Sequence, residues 1–575
     1  MSRKNIRTCK LKTPFENNGE SSWAEYPRPQ LKRASYISLC GKWSLSVLKN
    51  NTEEALGEIT VPFPPESRIS GIERELLPDE KYIYRKSFVL PDDFNKGHIL
   101  INFGAVDCFA EIRINETPIG GHNGGYIPFC FDITSALKTG ENIVEVIVTD
   151  TLDTDFPYGK QCRKRGGMWY TPISGIWQAV WLESVPENYI KSLKLTPSLD
   201  SITIETESGI AEKNVTIHTE NGDIKESFSG NKACIKIPSP VLWSPENPYL
   251  YSLTLECGED RIESYFGLRT IETGKVNNTP CILLNGKPYY FHGLLDQGYY
   301  SDGIYTPASP EGYLWDIKEM KKLGFNMLRK HIKIEPDLFY YYCDKYGMIV
   351  FQDFVNSGKY NFLIDTALPT IGLKKGITHT ATKRRKSIFE DTARKTISLL
   401  YNHPCVCYYT IFNEGWGQYD ADRIYEELKK LDPTRIYDAT SGWFTEKKSD
   451  VKSEHIYFRK IKLKADPEKP LVLSEFGGYS CKIENHCFNL DENYGYKTFD
   501  SPKSLSAGLS ELYLSEIVPA VEQGLCADVL TQVSDVEDET NGLCTYDRQV
   551  IKVEERTMKI IAKALNKAFE KKFTV

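Results

Sequence analysis

The feature that most restricts what this chain can become is the run Cys405-Val406-Cys407-Tyr408-Tyr409-Thr410-Ile411-Phe412, which halts at Asn413-Glu414-Gly415. The run is too short for a globular helix and is bounded by Pro404 and Gly415. Its side chains are β-branched, aromatic or thiol almost throughout, so it reads as a strand covered on both faces, as in a parallel sheet. A second run, Leu471-Val472-Leu473-Ser474, opens after Pro470, ends on Glu475 and closes at Gly477-Gly478. A carboxylate at the C-terminal end of each of two parallel strands stands where an α/β barrel keeps its chemistry, because the loops that follow form the mouth. Two facing carboxyls, one protonated and one ionised, suit glycoside hydrolysis. A lone strand-end glutamate usually does no more than pair with a neighbouring charge. The pair, with Asn413 and the flanking Gly and Trp residues, favours chemistry here.

At 575 residues the chain exceeds a single core, and its rhythm changes twice. Residues 1–187 read as an all-β sandwich, with alternation in Ala110-Glu111-Ile112-Arg113-Ile114 and in Val144-Glu145-Val146-Ile147-Val148. Residues 188–273 stay β, with Ile202-Thr203-Ile204-Glu205 and a proline-rich corner at Trp243-Ser244-Pro245; that length suits an immunoglobulin-like sandwich acting as a spacer. Over 274–575 short apolar strands such as Asn326-Met327-Leu328 and Met348-Ile349-Val350-Phe351 alternate with helical spacings at 317–323, 339–346 and 388–401. About 300 residues of this alternation is the size of a (β/α)8 TIM barrel.

A formal net charge of −7 gives no electrostatic reason to expect nucleic acid or an anionic membrane as partner. No apolar run approaches the length of a membrane span, and MSRKNIRTCKLKTPFENN carries no apolar core, so no secretory signal is expected. Fifteen cysteines without CxxC pairs fit reduced thiols in a cytoplasmic setting, with no cofactor and no metal ligand set. The 34 tyrosines and 9 tryptophans suit stacking on sugar faces and β-rich cores alike.

Asn413-Glu414 and Ser474-Glu475-Phe476-Gly477 resemble the two catalytic segments of glycoside hydrolase family 2, the β-galactosidases, β-glucuronidases, β-mannosidases and their relatives. In that family the Asn-Glu dipeptide ends barrel strand four and supplies the acid/base, and the Ser-Glu segment ends strand seven and supplies the nucleophile. Leu39-Cys40-Gly41-Lys42-Trp43 resembles the opening of the family's sugar-binding jelly roll, and Trp169-Tyr170-Thr171-Pro172 through Gly175-Ile176-Trp177-Gln178 its close. The resemblance implies a multidomain chain: a jelly-roll β-sandwich, an immunoglobulin-like β-sandwich and a C-terminal TIM barrel. For Trp43, Trp169 and Trp177, packing is expected over ligand contact.

The same resemblance marks further residues. Arg329 and His331 resemble the Arg and His ending strand two; an arginine there keeps the nucleophile ionised, and the histidine reaches a sugar hydroxyl or the acid/base, or is simply a satisfied core residue. Asn413 is implied to bond the 2-hydroxyl of the sugar. Tyr457 resembles the tyrosine that orients the nucleophile, and His455 shares its face of the sixth strand. Asp353 is a hydroxyl acceptor or a cap; Trp416 and Trp443 are sugar platforms or packing. Gln532 and Asp535 end the eighth strand, and the loop Glu537 to Leu543 should line the mouth. One departure stands out: the glucuronidases' Asn-x-Lys pair is absent, since Gly542-Leu543 follows Asn541, and only another basic group such as Lys383 to Lys386 could substitute. The expectation is an exo-acting retaining β-glycosidase, with a β-galactoside first by family frequency and β-glucuronide, β-mannoside or arabinoside open. A non-catalytic carbohydrate-binding protein is the alternative of another class. A homo-oligomer is compatible with large β modules.

Overall fold

The computed structural model describes residues 7–16, 23–370, 373, 380–444 and 446–573. Residues 1–6 and 17–18, part of the segment read for a leader, lie outside the described residues.

The barrel follows from strands with no polar face. Its strands are β1 (Phe291–Asp296), β2 (Met327–Lys330), β3 (Ile349–Asp353), β4 (Val406–Asn413), β5 (Ile436–Ser441), β6 (Lys452–Ile456), β7 (Leu471–Gly477) and β8 (Leu525–Thr531). Every residue of β4, β7 and β8 is buried, as strands covered on both faces require. All pairings between them are parallel, in the order β5-β4-β3-β2-β1-β8-β7-β6. The ring is drawn together between β5 and β6 by Asp450 N donating to the Tyr437 carbonyl (2.9 Å).

Helices cover the ring. Helix α1 (Glu311–Leu323) buries Ile317, Met320 and Leu323 and stops at Gly324 in the left-handed conformation. Helix α2 (Asp337–Tyr346) follows β2, and α3 (Lys383–Leu400) precedes β4. Thr382 caps α3 by accepting from Arg385 N. Its first turn is the basic run 383–386, so the helix begins five residues before the apolar spacing at Ile388.

Ahead of the barrel stand two antiparallel sandwiches. The first packs a six-stranded sheet on a four-stranded one around Trp43, Leu45, Tyr82 and Val146. The second packs three strands on four around Ile202, Ile204, Leu253 and Phe266. Trp243 sits at its proline-rich corner, fully buried, and its Nε1 donates to the Asp344 carbonyl of α2 (2.7 Å), fastening this sandwich to the barrel. Trp177 is fully buried too, edge-on to Tyr126 of the first sandwich and Tyr305 of the barrel. Trp43 and Trp177 are therefore core and interface residues, while Trp169 is part of the site. All fifteen cysteines are free.

Candidate active site

Five strands of the ring converge on one side chain. Arg329 of β2, 1% exposed, donates through Nε to Asp353 Oδ1 of β3 (3.0 Å) and through Nη1 to Glu475 Oε1 of β7 (2.9 Å) and the Ser474 carbonyl (2.8 Å). Through Nη2 it donates to Asn413 Oδ1 of β4 (2.9 Å) and Ser441 Oγ of β5 (3.1 Å). A planar fork of fixed donors is the group that can hold so many acceptors in one geometry.

Two consequences follow from a guanidinium that can only donate. Asn413 turns its carbonyl oxygen to Arg329 and Ser441, leaving its Nδ2 without a partner among the described residues, and it lines the cavity. His455 Nε2, 3.2 Å from Arg329 Nη1, must accept. Its ring proton therefore sits on Nδ1, 2.7 Å from Glu414 Oε1 and 3.6 Å from Glu475 Oε2. One oxygen of each glutamate and a ring nitrogen of His455 lie within 4.8 Å of one another.

Glu475 is buried with both oxygens engaged: Oε1 by Arg329 and Oε2 by the Tyr457 hydroxyl (2.5 Å), itself held by Thr531 Oγ1 (2.9 Å). Burial alone would raise its carboxyl. The electrostatic pull of His455, of the Arg329 guanidinium and of His331, together with the Tyr457 hydrogen bond, outweighs burial and holds it well below the usual carboxylate range.

Glu414 stands on a tight turn after β4. Its φ is +53°, a left-handed value costly for a residue with a Cβ, and its N–H donates to the Ser441 carbonyl (3.0 Å). Gly415 and Gly417 continue the turn at φ +75° and +67°. A Cβ at 415 would collide with the Phe444 ring, and one at 417 with the Ser357 carbonyl oxygen. The segment FNEGWGQ is thus read as a strand end folded back to lift one carboxylate into the mouth.

The other candidates divide into those the cavity admits and those it does not. His331, Asn413, Glu414, Trp416, Tyr457 and Glu475 line it. His331 Nδ1 bonds Asp353 Oδ2 (2.8 Å); burial and the charge of Lys160 lower its pKa against the pull of Asp353. Asp353, read as a hydroxyl acceptor, does not line the cavity. Arg329 and His331 take both its oxygens, and the guanidinium holds it ionised against burial. Arg329 and His455 likewise lie beneath the floor and act on the glutamates. Trp443 packs edge-on to His455 (5.9 Å) behind the wall. Gln532, fully buried, donates to Glu539 Oε2 (2.9 Å) and Asn541 Oδ1 (2.7 Å), shaping the loop and not reaching the cavity. Asp535 is paired with Lys552 (2.6 Å) in the interior. Three of the four residues of the basic run are also spent: Arg385 donates to the Ser357 and Gly417 carbonyls (3.0 Å each), Arg384 pairs with Asp153 and Asp155, and Lys386 with Asp420.

The cavity has a second source. Lys160, Met168 and Trp169 reach it from the first sandwich. Their loop is latched to the loop after β8. Arg165 pairs with Glu537 (3.3 Å), Thr171 N donates to Glu537 Oε1 (2.9 Å), Gly167 N to Asp538 Oδ2 (3.3 Å) and the Tyr170 hydroxyl to Glu539. Trp169 stands edge-on to Trp416 (4.9 Å) and Tyr360 (5.1 Å), an aromatic rim over Glu414. Of the loop 537–543, Glu539 and Asn541 line the cavity, while Glu537 and Asp538 hold the sandwich. Lys160, Trp169, Gln297, Tyr360 and Tyr496 are cavity residues that sequence reasoning did not single out as such; the one available signal was the segment Trp169-Tyr170-Thr171.

Comparison with known proteins agrees with this architecture. Residues 65–172 match the galactose-binding domain-like module of glycosyl hydrolase 2, 188–269 a glycosyl hydrolases family 2 module, and 275–507 the glycosyl hydrolases family 2 TIM barrel domain. A β-galactosidase of Thermoanaerobacter pseudethanolicus is 26% identical over 427 residues, 69% of this chain and 54% of the relative. A putative β-glucuronidase of Formosa agariphila is 25% identical over 387 residues, 62% of this chain and 34% of the relative. The chain thus spans about half or less of the length of these relatives. In fold it is similar to the β-D-glucuronidase of Dictyoglomus thermophilum (TM-score 0.73, 19% identity, 94% of this chain and 98% of that one). It is similar as well to a β-galacturonidase of Eisenbergiella tayi (TM-score 0.66, 19% identity, 95% and 98%). With two sandwiches and a barrel matched in chain order, this chain belongs to glycoside hydrolase family 2.

Proposed function

We propose that this chain removes the terminal non-reducing sugar of a β-linked glycoside, with retention at the anomeric carbon. The observation that carries the reading is the approach of Glu414 and Glu475, an oxygen of each within 4.8 Å of the other. That spacing suits a nucleophile and an acid/base roughly 5 to 5.5 Å apart better than the roughly 6.5 to 9.5 Å that leaves room for water in an inverting enzyme.

Glu475, held ionised, attacks the anomeric carbon, and Glu414 gives its proton to the leaving oxygen. As Glu475 becomes an ester its charge disappears. Asp353 remains against Arg329, so the buried guanidinium is never left without a counter-ion. Glu414, now ionised and oriented by His455 Nδ1–H, then takes a proton from the water that releases the sugar. Asn413 Nδ2 is placed to donate to the 2-hydroxyl, a bond that strengthens as the oxocarbenium character grows. A mouth narrowed by the sandwich loop favours one terminal sugar over an internal position in a polymer.

A β-galactoside is the first choice of sugar, with β-glucuronoside, β-mannoside and arabinoside as the remaining specificities. The deciding experiment is nitrophenol release from a panel of α- and β-linked nitrophenyl glycosides by the wild type, Glu414→Ala and Glu475→Ala. Cleavage of a β-linked sugar, abolished in Glu475→Ala and partly restored by azide in Glu414→Ala, is the expected result. A folded wild type inert on the whole panel that nevertheless binds the sugars would instead mark a carbohydrate-binding protein.

A further inference from the structure

The wall across the ring from β4 holds polar atoms that the protein itself does not satisfy. Gln297 follows β1, Glu539 and Asn541 follow β8, and Lys160 reaches in from the first sandwich. Gln297 is 4% exposed and Asn541 2%, yet the amide nitrogen of each is buried without a hydrogen-bond partner among the described residues. Such atoms carry a desolvation cost that a ligand or water must offset. Glu539 accepts from Tyr170 and Gln532 on Oε2 only, and no donor among the described residues reaches its Oε1. The Lys160 ammonium faces the Tyr170 ring, 5.7 Å from its centroid, with no acceptor among the described residues. It is near enough to Glu539 for its charge to oppose the rise that burial causes in that carboxyl, yet the two form no ion pair.

We propose that Lys160 and Glu539 are specificity-determining residues that clamp hydroxyls of the terminal sugar, with Gln297 and Asn541 donating beside them, and that they select a neutral sugar over a uronate. A hydroxyl is both acceptor and donor, so one or two can accept from the ammonium and donate to Glu539 Oε1, completing both groups. The charges of the two residues offset each other. A sugar carboxylate drawn to Lys160 would meet the Glu539 carboxylate in the same poorly hydrated wall, where like charges repel strongly. The inference rests on the glycosidase reading, and it makes the sandwich loop a supplier of sugar specificity.

The test compares kcat and KM of the wild type, Lys160→Met and Glu539→Gln on neutral nitrophenyl β-glycosides, their 3-, 4- and 6-deoxy analogues and the β-glucuronide, after matching Tm values show that the variants fold. A neutral sugar should be preferred, and each variant should lose about tenfold or more in kcat/KM on it, as for hydrogen bonds to charged groups. On the deoxy analogue that lacks the clamped hydroxyl, the variants should fall within about twofold of the wild type. A wild type that prefers the glucuronide, with that preference lost in Lys160→Met, overturns the proposal, as do losses equal on every analogue. If no glycoside is cleaved the glycosidase reading fails, and the clamp is judged by titrating free galactose, glucose and glucuronate against the fluorescence of Trp169 and Trp416. A neutral sugar bound about tenfold less tightly by Lys160→Met upholds it; equal binding, or none, overturns it.

Discussion

Arg329 Nη1 stands 3.2 Å from His455 Nε2, and because the arginine has only protons to offer, this contact fixes which nitrogen of His455 carries the proton and aims that proton at Glu414. His455 does not line the cavity, so on the proposed mechanism its effect on substrate runs through Glu414. In His455→Ala we expect kcat to fall roughly 10²-fold with KM little changed, the range of a displaced general acid. Alkyl glycosides, which need a proton on the leaving oxygen, should suffer more than nitrophenyl glycosides. Equal losses on both series would contradict this role.

If Glu475 is the nucleophile, as proposed, its depressed pKa sets the acid limb of activity. Attack needs the ionised form, and a carboxyl held low stays ionised as pH falls through the ordinary glutamate range of about 4.3. The acid limb of kcat/KM is therefore expected below that value. Tyr457→Phe removes a hydrogen bond that favours the ionised form, so its limb should move to higher pH. A pH profile of the two proteins checks the sign; an unmoved limb would show that Tyr457 does not hold the nucleophile's proton affinity down.

Asp353 is expected to matter for stability as well as rate. It is 1% exposed and shared by Arg329 and His331, and neutralising it leaves a buried guanidinium with less counter-charge. Asp353→Asn should cost about 3 kcal/mol in urea unfolding, the range for breaking a buried ion pair. Its kcat should fall with KM less affected. A change under about 0.5 kcal/mol would mean the hub is redundant.

The latch between sandwich and barrel has its own signature. Glu537 takes Arg165 and Thr171 N at once, so Glu537→Ala frees the loop that carries Lys160 and Trp169 without touching Glu414 or Glu475. KM should rise about tenfold with kcat held within a few-fold, the pattern of lost uniform binding. A fall in kcat alone would place the loop in the chemistry instead.

How much of this was legible in the sequence depended on whether a residue's role was decided along its own strand or across the fold. The strand that leads to Glu414 announced itself because burial on both faces leaves it no charged side chain before the turn, and Gly415 and Gly417 mark where backbone must pass close to Phe444 and Ser357. Asp353 also ends a strand, but its neighbour β2 offers Arg329 sideways, with Lys330 in register with Gln352, and no local pattern reveals that. Gln532 and Asp535, expected to end β8, lie past its last residue Thr531, and Gln532, expected to bind substrate, instead bonds Glu539 and Asn541. Lys160 was beyond reach, since it enters the site only when the sandwich docks on the loop after β8, whereas Glu539 falls in the loop 537–543 expected at the mouth, with nothing local to mark it from its neighbours. Nothing local in the basic run 383–386 sets Arg385 apart, yet it is drawn inward because the carbonyls of Ser357 and Gly417 need a donor.

The most direct test of the double-displacement account is to capture its intermediate. The enzyme is incubated with the 2-deoxy-2-fluoro β-glycosyl fluoride of whichever sugar it cleaves, and the modified peptide is located by mass spectrometry. The account predicts one glycosyl adduct per chain on Glu475, formed also by Glu414→Ala and absent in Glu475→Ala. An adduct on Glu414, or turnover of the reagent to the inverted sugar without any adduct, would contradict it.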